Sequence, residues 1–197
     1  MSYVLQPSEV SCFAINIAGA MQKDEELTRL LNLVQSKPHS IILEIGVGKG
    51  GTSWCWTRLE SRVIAIDLVG GPWGGGPTPD IIEYTKASAR GSYTFIDGDS
   101  KNPETLRKVH EAIGKQLFIN FLFIDGDHSY EGVKRDYEIY SPLVQKGGMI
   151  AFHDICSHPP ESGCEVKKFW DEVKVGKNVM EIIHEPTNWG GIGVILL

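Results

Sequence analysis

The chain is short of cysteine, of positive charge and of long apolar runs. Its four cysteines (Cys12, Cys55, Cys156, Cys164) show no paired framework, which argues against a secreted disulfide scaffold and for a reducing cytoplasm. Lys and Arg number 19 against 25 Asp and Glu, a net charge of −6, so a bulk attraction for phosphate backbones or anionic lipid is missing. Nucleic acid is therefore a poor first partner. The longest apolar runs, such as Phe121–Ile124 and Val194–Leu197, fall far short of a membrane span, and no basic start with an apolar block follows Met1. What remains is an ordinary globular balance, 42% apolar and 22% charged over 197 residues. That is about one domain, able to bury a core without a disulfide or a metal.

The first forty residues read as helical. Ser8 is positioned to cap an apolar stretch, Val10–Met21, and Leu27, Leu30, Leu31 and Val34 repeat on one helix face before Lys37-Pro38 stops it. Residues 1–39 are thus expected to form a helical cap on a domain spanning 40–197. From Ser40 the rhythm changes to short apolar runs: Ile41–Ile45, Val63–Ile66, Tyr93–Ile96, Ile119–Ile124 and Met149–Phe152. These hardly alternate in polarity, as strands buried on both faces of a parallel sheet should. A helix is expected over Tyr130–Val144, closed by Lys146-Gly147-Gly148, and another over Glu165–Val173. Val179–His184 and Ile192–Leu197 flank a hairpin turn. The pattern is a doubly wound α/β sheet with a terminal antiparallel hairpin. Gly70–Pro79, around Trp73, reads either as a mobile flap or as a plain surface loop.

Ile41-Ile-Leu-Glu-Ile-Gly46-Val-Gly48-Lys-Gly50-Gly51 is a strand running into a glycine turn and a helix, which allows close backbone approach to a ligand. Gly46, Gly48 and Gly51 also fit the dinucleotide pattern, so the loop alone does not choose a cofactor. Glu44, read as sitting in the mouth of the site, would repel a pyrophosphate and suit a ligand carrying ammonium and sulfonium charges. Asp67, followed by Leu68, ends the second strand where a carboxylate can accept from ribose hydroxyls. Asp97-Gly98-Asp99-Ser100 ends the third, with Asp99 and Ser100 beside an adenine. Each of these acids could instead be a solvated strand end, and Asp99 and Ser100 could cap the helix that follows Pro103.

The chain here resembles the class I S-adenosylmethionine-dependent methyltransferases from Ser40 to Leu197. The resemblance is carried most by Phe121-Leu-Phe-Ile-Asp125-Gly-Asp-His128-Ser-Tyr-Glu-Gly-Val-Lys-Arg-Asp136 and Lys146-Gly-Gly-Met-Ile-Ala-Phe-His153-Asp154. These segments are similar to a group of small methyltransferases that includes cephalosporin-hydroxylase-like proteins and macrolide-sugar O-methyltransferases. Ile66–Gly76 and Val166–Glu172 look like further segments of that group. The resemblance implies a seven-stranded Rossmann-like sheet of order 3-2-1-4-5-7-6 with the last strand antiparallel. It also implies S-adenosylmethionine as methyl donor, held by Glu44, Gly46, Gly48, Gly50, Asp67, Leu68, Asp97, Gly98, Asp99, Ser100 and Asp125. The acceptor would be a small-molecule hydroxyl, and a homodimer is one arrangement left open.

In that order Asp125 ends strand four and His153-Asp154 end the adjacent strand five. Strand tips about 4.8 Å apart let the three side chains converge on one ion such as Mg²⁺. In the sugar O-methyltransferases the motif Asp-x-x-His carries a metal ligand and a base, and Asp125 and His128 match it. Those enzymes carry Glu-Asp where this chain has His153-Asp154, and catechol-type enzymes carry Asp-Asn. His128 is then the candidate base, with Asp125 beside it. The competing readings are that Asp127 and Ser129 only cap a helix, that His128 lies on the surface under Tyr130, and that His153 is a satisfied core histidine. Cys156, His158 and Cys164 near His153 invite a zinc site, but the spacing fits no ordinary ligand set. Trp73 and Trp189 are the tryptophans expected to meet a ligand. Two other functions stay open: a nicotinamide-dependent oxidoreductase using the same glycine loop, and a non-catalytic cofactor-binding subunit.

Overall fold

Seven strands form one sheet in this computed structural model, which describes residues 5–37, 41–71, 75–186 and 189–197. They are β1 (Ile41–Ile45), β2 (Arg62–Asp67), β3 (Ser92–Asp97), β4 (Ile119–Ile124), β5 (Val144–His153), β6 (Val179–Ile182) and β7 (Ile192–Leu196). Their order is β3-β2-β1-β4-β5-β7-β6, and β7 alone runs against the direction of the other six. This is the sheet that the resemblance implies. Every residue of β1 and β4 is buried, because helices cover both faces at the centre. β3 is one of the two edges, and there only Tyr93 and Ile96 are buried, one on each face of the sheet, while Ser92, Thr94 and Asp97 are exposed.

Alternate residues of each central strand feed two cores. Ile42, Phe121 and Phe123 pack with α1 (Pro7–Asn16), α2 (Asp24–Gln35) and α3 (Gly51–Thr57), around Trp56. Leu43, Leu122 and Ile124 pack with α5 (Pro103–Ile113), α6 (Tyr130–Tyr140) and α7 (Val166–Val173). The apolar stripe Leu27, Leu30, Leu31 and Val34 is buried as its spacing requires. The N-terminal helices therefore complete one of the two cores. A further helix, α4 (Pro79–Ser88), follows the glycine- and proline-rich loop, whose residues 72–74, with Trp73, lie outside the described residues.

Three expected boundaries move. The first helix runs Pro7–Asn16 from an N-cap at Gln6, whose N–H donates to Glu9, so Ser8 lies inside it. The apolar residues Ala20 and Met21 do not continue that helix; they leave it to wall a cavity. The helix expected over Tyr130–Val144 stops at Tyr140, where Ser141–Leu143 forms a single tight turn around Pro142. Lys146-Gly147-Gly148 is then no helix stop but a bulge within β5, with Gly147 at φ 82° and a register shift between Ile119 and Phe121. The expected turn between the last two strands is described except for residues 187 and 188.

Candidate active site

The carboxyl ends of β1 and β4, neighbours that run to opposite halves of the sheet, open into a cavity of about 810 Å³. One wall is the glycine loop after β1. Gly46 adopts φ 86° and lies so close to the Asp125 carbonyl that any Cβ would collide with it. The loop is held by Asp67, whose Oδ2 accepts the N–H groups of Val47 and Gly48, both at 2.8 Å. Asp67, Leu68, Gly98, Asp99 and Ser100 line the same cavity with Gly46 and Gly48. The order of strand ends thus brings together most of the residues expected to hold a cofactor.

Three of them stand elsewhere. Glu44 does not reach the mouth: it is fully buried behind the strand, accepting from the Ser53 hydroxyl and, at 3.1 Å, from the Trp56 indole. Burial pushes its carboxyl up to about 7 despite these bonds. It points to the helix face of β1 because alternate strand residues face opposite sides. Gly50 is the N-cap of α3 and lies outside the cavity wall, as does Asp97, whose Oδ1 accepts the Val69 N–H at 3.1 Å. Asp99 also closes a turn by accepting the Lys101 N–H at 2.9 Å, but it does not cap the following helix: Asn102 does, accepting the Glu104 N–H at 2.9 Å. The Ser100 hydroxyl is turned to Asp136 at 2.6 Å and its carbonyl accepts from the Tyr140 hydroxyl at 2.7 Å, so of its polar groups the backbone N–H is the one left for a ligand.

At the other end of the cavity four titratable side chains meet. Asp125 Oδ1 lies 3.2 Å from His153 Nδ1 and 3.4 Å from His128 Nε2. Asp154 Oδ1 lies 3.5 Å from His153 Nδ1, and its Oδ2 lies 3.6 Å from His128 Nδ1. Asp154 takes a left-handed backbone, φ 64°, and is fixed there by the Gly190 N–H donating to Oδ1 at 2.9 Å. Burial pushes the Asp125 carboxyl up, but the charges of His153 and His128 prevail and hold it low. Asp154 is held low in the same way, first by His153. Burial would lower His153 and His128, yet the two carboxylates raise both.

His128 is not a surface residue under Tyr130, which packs instead edge-on to Phe169. Its side chain is 28% exposed, against 3% for His153, so it is the imidazole open to the cavity. Ser129 caps the next helix, its hydroxyl accepting the Gly132 N–H at 3.1 Å, and Asp127 accepts the Ser129 N–H and hydroxyl while also pairing with Lys101 at 2.8 Å. His153 is not a satisfied core histidine, since its Nε2 is buried without a partner.

The donor atoms of Asp125, His153 and Asp154 all lie within 4.8 Å of one another, which tests the site for a metal. An octahedral ion with ~2.1 Å bonds sets neighbouring ligands about 3 Å apart, close to the observed 3.2 and 3.5 Å edges. Two carboxylates and an imidazole fit such an ion. Of the residues weighed for zinc, His153 joins the Asp125 group and Cys164 stands beside His128 and Asp154, while Cys156 and His158 join no such cluster among the described residues.

The cavity also contains residues that sequence reasoning passed over. Gln22, in the link between α1 and α2, donates its amide to Asp125 Oδ2 at 2.7 Å, and no sequence signal marks it. His158, weighed only for zinc, meets Asp154 at 3.2 Å. Trp189, expected near a ligand, lines the cavity beside His153.

Residues 43–155 match the family described as a methyltransferase domain. The chain belongs to that family. Its fold is that of the class I S-adenosylmethionine-dependent methyltransferases. An O-methyltransferase from Bacillus cereus, solved with S-adenosylhomocysteine, superposes with a TM-score of 0.62 at 16% identity, covering 98% of this chain and 90% of that one. TomG of Streptomyces achromogenes, an O-methyltransferase of tomaymycin synthesis solved with S-adenosylmethionine, gives 0.65 at 14%, covering 100% and 92%. MycE of the mycinamycin pathway, solved with Mg, S-adenosylhomocysteine and mycinamycin VI, gives 0.64 at 16%, covering 99% of this chain and 55% of that one. The uncharacterized protein R132 of Acanthamoeba polyphaga mimivirus is 39% identical over 61 residues, 30% of this chain. The match spans 28% of that protein. Among the described residues no helix is long and apolar enough to cross a membrane.

Proposed function

We propose that this methyltransferase moves a methyl group from S-adenosylmethionine to a hydroxyl oxygen of a small molecule, with help from a divalent ion. The observation that carries this reading is the cavity's polarity along its length. Ribose- and adenine-type acceptors, Asp67 and Asp99, stand at one end, and Asp125, His128, His153 and Asp154 gather at the other. In this reading Gly46, Gly48, Asp67, Leu68, Gly98, Asp99 and the Ser100 backbone N–H receive the donor. Glu44, Gly50 and Asp97 keep that wall in shape from behind.

The donor supplies an electrophilic methyl on a sulfonium, so the acceptor must arrive aligned and stripped of its proton. Asp125, His153 and Asp154 would hold the ion, whose chemistry is to lower the pKa of an oxygen bound to it. His128 is the base: its imidazole is the open one, oriented by Asp125 through Nε2, and Nδ1 takes the proton. Ile15, Gly19–Gln22 and Trp189 line the acceptor side, so in this reading the described N-terminal helices and their link serve as a cap on the sheet domain. Binding separates this reading from its rival. Isothermal titration should give clear heat for S-adenosylhomocysteine and none for NAD⁺; the reverse result would end the proposal.

A further inference from the structure

We infer that Gln22 is a cofactor-tail residue, its side-chain oxygen receiving the α-ammonium of the methyl donor while its amide nitrogen orients Asp125. This rests on the reading that the donor is S-adenosylmethionine. Gln22 is only 5% exposed, yet it lines the cavity. Its Nε2 lies 2.7 Å from Asp125 Oδ2. A carboxylate can only accept, so the NH₂ must face Asp125 and the amide cannot be flipped. The oxygen Oε1 therefore looks the other way, and it is buried without any partner. A buried acceptor left unpaired destabilises the fold, and such an atom in a cavity wall points to a ligand that donates.

The ligand's chemistry identifies the donor group. Asp67 and Asp99 accept at the nucleoside end, so the amino-acid tail is left to the far end, where Asp125 and Gln22 stand. The α-ammonium is the tail's donor-only group. One more acceptor beside Asp125 suits it, and an anion there would find no donor in Oε1. The link between α1 and α2 brings this acceptor in from outside the sheet, with Gly51 packed against the Ala20 backbone to fix its path.

The test compares two nucleosides that differ by this tail, S-adenosylhomocysteine and 5′-methylthioadenosine, bound to wild type and to Gln22→Met. S-adenosylhomocysteine should bind about tenfold more weakly to the variant, with 5′-methylthioadenosine changed less than about twofold. Equal weakening of both, or no change in either, would overturn the inference. Wild type alone must lose about tenfold in affinity when the amino group of S-adenosylhomocysteine is replaced by hydrogen, and equal affinities would overturn the inference without any variant. Wild type that binds neither nucleoside would instead refute the donor assignment itself.

Discussion

The Ser100 hydroxyl donates to Asp136 Oδ1 across 2.6 Å and ties the cavity wall to helix α6. The Tyr140 hydroxyl holds the Ser100 carbonyl at 2.7 Å from the same helix. Asp136 is fully buried, and its second oxygen has no partner. Burial pushes its carboxyl up to about 7, against the pull of Ser100 and Lys101. An unfolded Asp ionises near ~3.9, so between the two values the folded state holds the extra proton. Stability is then fullest below the unfolded value and is lost as pH rises through about 7. Asp136→Asn, neutral throughout, should remove about 3–4 kcal/mol of that decline between pH 4 and 8, read from urea midpoints. Glu44, also lifted to about 7, and the raised His153 and His128 would supply the slope that remains. A variant with the wild-type slope would refute the assignment.

Glu26 stitches the N-terminal helices to the end of the chain. It is fully buried, and its two oxygens accept the N–H groups of His184 at 3.0 Å and Gly191 at 2.8 Å. Removing it strands two donors beside the turn that carries Gly190 and Trp189. Glu26→Ala should cost about 3 kcal/mol or more, and Glu26→Gln, which keeps one acceptor oxygen, about half as much. Thermal melts followed by tryptophan fluorescence would measure this, and equal losses for the two variants would contradict the bonding scheme.

The sheet was legible because its central strands are continuous apolar runs, and each ends where an acid or glycine begins. Asp67, Asp99, Asp125 and Asp154 follow directly from that punctuation, since a strand tip at the switch point faces the ligand cavity. Glu44 misled because it lies inside the strand, where a one-residue step turns a side chain to the other face. Gln22 and Glu26 left no local trace. Each acts on residues more than 100 positions away, as in the Gln22–Asp125 bond, and nothing in their own neighbours signals it. The end of the first helix failed for a related reason: Ala20 and Met21 are apolar because they wall a cavity, and composition does not distinguish that from a helix face.

Metal binding can be measured apart from turnover. Asp154→Asn tolerates the left-handed backbone and can keep the Gly190 bond, while it removes the charge that faces His153 and His128. Titration of Mn²⁺ followed by electron paramagnetic resonance should show binding to wild type and at least about tenfold weaker binding to the variant. Affinity for S-adenosylhomocysteine should change by less than about threefold, because the substitution lies at the acceptor end. Equal Mn²⁺ affinity in both proteins would remove the ion from the site.

Asp67 holds the glycine loop and, on the proposed reading, the donor's ribose. One oxygen takes both loop N–H groups, from Val47 and Gly48, so the ribose must be received by the other. Asp67→Ala removes both functions at once, and charge-assisted bonds of this kind are worth about 1.5–3 kcal/mol each. Binding of S-adenosylhomocysteine should weaken by at least about tenfold, and 5′-methylthioadenosine should weaken equally, because both contain the ribose. Asp67→Asn retains an acceptor oxygen for the loop and should fall between. This pattern is opposite to that expected at Gln22, where only the nucleoside with the tail responds. If Asp67→Ala spared 5′-methylthioadenosine, the ribose would have to lie elsewhere, and the cavity's nucleoside end would need reassignment.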